Sequence, residues 1–141
     1  MKRKASARWQ GTAKEGSGTL STQSGTLDEV PYSFVARFGD GKGTNPEELI
    51  AAAHAGCFTM ALSFALNNGG FTADAIDTEA NLTMDQVNGN WTVTAVHLTT
   101  RARVPKIEAP KFAEFASNAK ANCPISRLLN ATITLDAALV A

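Results

Sequence analysis

Between Leu49 and Leu66 the chain runs for 18 residues without an Asp, Glu, Lys or Arg. Helix signals bracket the run. Asn45 is a capping residue type, Pro46 suits the first helical position, Glu48 completes a capping-box spacing, and Gly69-Gly70 supplies a stop. A helix from Pro46 to about Asn67 follows. It is apolar nearly all round, so it cannot lie on one face of a single sheet with its back to water, and something must cover both sides. The run touches the length of a bilayer span, but Ala, Gly, Ser, Thr and His54 fill much of it and no basic residue closely flanks it. A core helix, with no membrane partner, is the expectation.

Around this helix the pattern is that of strands. Ala5, Ala7 and Trp9 alternate with Ser6, Arg8 and Gln10, Gly16 to Gly18 and Gly25 punctuate the next runs, and a third strand is expected over Tyr32 to Phe38. Residues 76 to 85 alternate cleanly, Asn88-Gly89 is a hairpin turn, and the return strand is predicted from Trp91 to about Val104. Phe112, Phe115, Ala116 and Ala119 then fall at helical spacing, Pro124 can open a short helical turn, and Ile133, Leu135, Ala137 and Leu139 alternate as a last strand. The fold class is α+β, and 141 residues suit a single domain over 1–141 that folds without staples.

Lys+Arg and Asp+Glu both number 13, which removes the electrostatic attraction that dominates nucleic-acid binding. Lys2-Arg3-Lys4 precedes no apolar stretch of the length a secretory signal requires, so the cytoplasm is the expected compartment. There, two cysteines, Cys57 and Cys123, are reduced or catalytic rather than a permanent staple.

The segments Gly43-Thr44-Asn45-Pro46-Glu47-Glu48-Leu49-Ile50, His54-Ala55-Gly56-Cys57 and Ala121-Asn122-Cys123-Pro124-Ile125-Ser126 resemble the OsmC/Ohr family of thiol peroxidases, OsmC type. Trp9-Gln10-Gly11, Ser21 to Gly25, Pro31-Tyr32, Arg37-Phe38 and Ile133 to Asp136 extend the likeness over nearly the whole chain. The resemblance implies antiparallel sheets wrapped around long central helices in an intertwined homodimer. It also implies Cys57 as the peroxide-attacking thiol, Cys123 as the resolving thiol, and Arg37 and Glu47 as their charged partners. No bound cofactor is implied; the reductant is an external dithiol, by family analogy a dihydrolipoyl group on a lipoylated protein.

Helix geometry bears on this assignment. Ten residues separate Glu47 from Cys57, about 15 Å of rise and about 80° of rotation on a straight helix, so one site using both draws Glu47 from another chain. Two copies packed antiparallel about a two-fold axis near Ala52 bring Cys57 of one opposite Glu47 of the other. Ala51, Ala52, Ala53, Ala55 and Gly56 are small enough for a close approach.

On its own residue pattern Cys57 reads as a small core filler, inert because burial raises a thiol's pKa; a fixed cation such as Arg37 is needed to activate it. Glu47 alone reads as a favourable first-turn charge, and Cys123 as a small hydrophobe or as a cap on the turn at Pro124, where amides favour a thiolate. With the resemblance the residues become a mechanism. Cys57 is oxidised to a sulfenic acid, which condenses with Cys123 to a disulfide, and a pocket lined by Phe58 and Met60 favours organic hydroperoxides over hydrogen peroxide.

Three other readings stand beside it. His54 and Cys57, at i and i+3, form a possible base and nucleophile for hydrolysis, though no oxyanion-hole motif accompanies them. Cys57, Cys123, His54 and His97 are metal-ligand types without paired zinc spacing. A noncatalytic small-molecule-binding stress protein could use the same fold, against which stands the presence of all four residues, Arg37, Glu47, Cys57 and Cys123.

Overall fold

A computed structural model describes residues 1–141, which form two compact units, 1–49 and 50–141. In the first unit, strands β1 (Ala5–Gln10), β2 (Ser17–Thr22) and β3 (Val30–Tyr32) pair antiparallel in that order. Trp9 packs edge-on against Tyr32, with ring centroids 5.3 Å apart. Gly18 lies beneath them, where a Cβ would come under 3.0 Å from both rings, so only glycine fits.

The third strand expected over Tyr32 to Phe38 is not one. It stops at Tyr32, and Phe34–Phe38 forms a short helix, α1. Ser33 sits in extended conformation and its hydroxyl accepts the Ala36 N–H at 3.1 Å, which turns an apolar run of strand-forming residues into a capped helical turn. Downstream, Gly43 takes a φ of 115°, and Thr44 N–H returns to the Pro31 carbonyl. The Asn45 amide then donates to the Ala36 carbonyl at 3.1 Å, fastening the start of the next helix to α1.

That helix, α2, spans Pro46–Asn68. Asn45 Oδ1 accepts the Glu48 N–H at 2.8 Å, as the capping spacing predicts; the Glu48 carboxylate takes the Thr44 hydroxyl instead of closing the box on the Asn45 backbone. At the other end Gly70, with a φ of 88°, donates to the Asn67 carbonyl while Phe71 N–H reaches back to Leu66, a Schellman ending.

In the second unit the hairpin of β4 (Ala75–Val87) and β5 (Asn90–Arg103) turns at Asn88-Gly89, both with positive φ. Helices α3 (Ala109–Asn122) and α4 (Pro124–Leu128) follow, and β6 (Thr132–Leu139) completes a sheet ordered β4-β5-β6. The α+β class holds, and within this sheet β6 runs parallel to β5 beside the antiparallel β4–β5 pair. A parallel partner needs a long crossover, and the segment carrying α3 and α4 is that crossover.

Phe58, Leu62 and Leu66 of α2 meet Val96, Leu98 and Ala102 of β5 and Phe112, Ala116 and Ala119 of α3 in one core. A polar ladder ties the helix to the sheet: the Thr59 hydroxyl donates to Thr78, which hydrogen-bonds to Thr100. Only one stripe of α2 is buried. Gly56 is exposed, Met60 and Phe64 on the same side are 63% and 65% exposed, and a Cβ on Gly56 would meet nothing within 4 Å.

Candidate active site

The structure brings the four expected residues together as two pairs, one in each unit. In residues 1–49, Arg37 in the last turn of α1 grips Glu47 in the first turn of α2. Arg37 Nε lies 3.0 and 3.2 Å from the two carboxylate oxygens, and Nη2 lies 2.6 Å from Oε1. The hold is the forked kind that only guanidinium provides. It exists because Ser33, Gly43 and Asn45 set the two helices against each other within this unit. Arg37 also lies 5.3 Å from the centre of the Phe38 ring, and its Nη1 N–H groups are uncommitted.

In residues 50–141, Cys57 in the middle of α2 and Cys123 between α3 and α4 are both free thiols. Burial pushes the Cys57 thiol upward, the Ile125 backbone amide pulls it the other way, and Cys123, hydrogen-bonded to it, pushes it further up. With no cation among these influences, the neutral thiol is favoured over the thiolate, which is the nucleophilic form of a cysteine.

Cys123 is fixed from both sides. Its N–H ends α3 on the Ala119 carbonyl, and its sulfur caps α4 by accepting the Ser126 N–H at 3.4 Å. The same sulfur lies 3.2 Å from the Ser126 hydroxyl, whose oxygen is 2.7 Å from His54 Nε2. His54 is therefore not simply packed beside Cys57 as its helical spacing suggests; it faces α4. Burial pushes its pKa down, and its Nδ1 has no hydrogen-bond partner. The spacing of Cys123 and Ser126, three apart at a helix start, is the one sequence signal of the contact.

Phe58 does not line a pocket. It is fully buried in the core, the opposite side of α2 from Met60, which lines a cleft of about 630 Å³ with Gly56, Thr59, Ser63 and the start of β4. Neither cysteine lines this cleft. His97, a half-buried strand residue, bridges Thr134 and Asp136 on β6 at 2.6 and 3.0 Å, which ties the parallel strand to its neighbour.

The family model described as OsmC-like protein matches residues 39–138. The chain belongs to the OsmC-like family. It is 49% identical over 134 residues to peroxiredoxin OsmC of Escherichia coli strain K12, covering 95% of this chain and 94% of that one; the Shigella flexneri protein of the same name matches equally. At that identity the enzyme class follows, and this OsmC-like chain is a peroxidase. Its fold is shared with the organic hydroperoxide resistance protein OhrB of Bacillus subtilis, with a TM-score of 0.77 at 24% identity over 97% of this chain and 98% of that one. An OsmC-like protein of Vibrio cholerae superposes with a TM-score of 0.79 at 15% identity, over 97% and 99% of the two chains.

Proposed function

We propose that this OsmC-like peroxidase reduces organic hydroperoxides, and hydrogen peroxide less well, to alcohols and water through Cys57 and Cys123, in the cytoplasm, as a homodimer whose sites are shared between chains. The observation that carries this reading is the forked Arg37–Glu47 pair, a cation held in fixed orientation with N–H groups to spare, in a chain whose half-buried Cys57 lacks one. Since helix geometry keeps Glu47 about 15 Å of rise from Cys57 of its own chain, the pair serves Cys57 of the other copy. The exposed side of α2, with Gly56 open and Met60 and Phe64 uncovered, supports a second copy there.

In that site the guanidinium stabilises the Cys57 thiolate and orients the peroxide. The sulfur attacks the terminal peroxide oxygen, the O–O bond breaks, and the alkoxide leaves as alcohol with the proton given up by the thiol. Cys57 is left as a sulfenic acid. Cys123 attacks its sulfur, water leaves, and a Cys57–Cys123 disulfide remains for a dithiol of the dihydrolipoyl type to reopen. No resident cofactor enters these steps, and residues 1–141 act as one functional domain.

Turnover of cumene hydroperoxide and hydrogen peroxide by the reduced protein with dihydrolipoamide tests the reading, beside Cys57→Ser and Cys123→Ser. Loss of turnover in Cys57→Ser with a preference for the organic peroxide supports it. Equal turnover in Cys57→Ser refutes it, and no turnover in the wild type turns attention to a ligand-binding role.

A further inference from the structure

The mechanism above leaves His54 unused, although it is completely buried on the helix that carries Cys57. Its one hydrogen bond goes to Ser126, 72 residues away, and Ser126 in turn meets Cys123. An apolar side chain would fill the same space without stranding Nδ1, so packing alone gives no reason for an imidazole here. We propose that Ser126 and His54 form a proton relay for Cys123, making His54, through Ser126, a positioning and proton-accepting residue of the resolving step. The proposal rests on the disulfide mechanism set out under the proposed function.

The two hydrogen bonds have the order such a relay needs. A thiol at Cys123 donates to Ser126 Oγ, and the Ser126 hydroxyl donates to an unprotonated His54 Nε2. As Cys123 attacks the Cys57 sulfenic acid, its proton passes to Ser126 Oγ while the Ser126 proton passes to His54. The S–S bond forms and the S–O bond of the sulfenic acid breaks. The departing hydroxide recovers the proton from His54 through the same hydroxyl, so that one thiol and one sulfenic acid become one disulfide and one water. Meanwhile the developing thiolate accepts two hydrogen bonds, from the Ser126 N–H and its hydroxyl, without moving off the cap of α4.

Burial, which favours the neutral imidazole, keeps Nε2 free to accept near neutral pH. Burial, and no charged group, is the cause of the His54 shift, while Cys57 from α2 interacts with the relay's Cys123 at the α3–α4 junction. Arg127 and Lys120, nearest in sequence to Ser126 and Cys123, make no hydrogen bond to any member.

The test separates the two chemical steps. Reduced full-length protein is mixed with one equivalent of cumene hydroperoxide, and samples quenched over time are alkylated and read by mass spectrometry for Cys57 sulfenic acid and for the Cys57–Cys123 disulfide, from pH 6 to pH 9. In Ser126→Ala and His54→Gln, disulfide formation at pH 7 is expected to slow by about a hundredfold, the usual size of a lost proton acceptor. It is then expected to climb about tenfold per pH unit toward the wild-type rate, first order in hydroxide, as solvent takes the proton in place of the relay. Ser126→Thr, which keeps the hydroxyl, is expected to retain the wild-type profile. Variant rates equal to wild type at pH 7, or slowed by one factor at every pH as a packing defect would produce, overturn the relay. A wild type that forms sulfenic acid but never the disulfide overturns the parent mechanism and the relay together, and shows itself before any variant is made.

Discussion

Gly56→Ala gives the sharpest test of what covers α2, because the two possibilities predict opposite signs. In the chain by itself a methyl at this position enters open space, with no atom within 4 Å of the built Cβ. Alanine is then worth about 0.5–1 kcal/mol over glycine in a helix interior, and melting rises by a few degrees. Two α2 helices packed about a two-fold axis near Ala52 make the same methyl an intruder. Overpacking costs about 1–3 kcal/mol, and the helical gain, present in the free chain and the dimer alike, cancels in association, so the loss is no less than about 1 kcal/mol per chain. Symmetry doubles this to about 2 kcal/mol per dimer, roughly thirtyfold in the dimer dissociation constant. Sedimentation equilibrium over a dilution series reads that constant directly. A variant with unchanged association and a higher melting temperature would refute packing of α2 against a second α2.

Other outcomes follow from single contacts. Phe58→Ala is expected to cost about 3–5 kcal/mol of stability in denaturant titration, because Phe58 is fully buried in the core and leaves a cavity among Leu62, Val96 and Phe112. Burial lowers the folded pKa of His54 from 6.5, so the unfolded chain binds more protons in acid; the stability this contributes is present above about pH 6.5 and is lost as pH falls below it. His54→Gln is expected to abolish that part of the acid slope in thermal melts taken from pH 7.5 to pH 5. Arg37→Lys loses the forked hold on Glu47, and peroxide turnover is expected to fall by about tenfold or more while its pH optimum moves upward. An unchanged profile would remove Arg37 from the activation of Cys57.

What the chain makes readable is what neighbours in sequence decide. The start of α2 follows from Asn45 and Pro46, its end from Gly69-Gly70, and the β4–β5 hairpin from Asn88-Gly89, each a matter of a few adjacent backbone groups. The helix α1 escapes because Phe34, Val35 and Phe38 look like strand residues, and the deciding contacts are a serine cap and the Asn45 side chain nine residues on. Alternation marks β6 as a strand but carries no information on direction, so its parallel pairing is invisible until the crossover is placed. Arg37 and Glu47 are assigned by family likeness, yet that they grip each other depends on the loop at Gly43, and the Phe58 side chain turns inward although its neighbours suggest a lining role. The contact from His54 to Ser126 spans 72 residues and leaves only the short spacing of Ser126 from Cys123 as a trace.

That same separation orders events during synthesis. The β4–β5 hairpin closes over a two-residue turn and can form as soon as Arg103 has emerged, whereas α4 and β6 are made after it. Until Cys123 and Ser126 appear, Cys57 has no second thiol within its own chain and His54 has no hydroxyl to bind. The nascent chain therefore has no partner for Cys57 in an internal disulfide, and none for the His54 imidazole, until synthesis has passed α3.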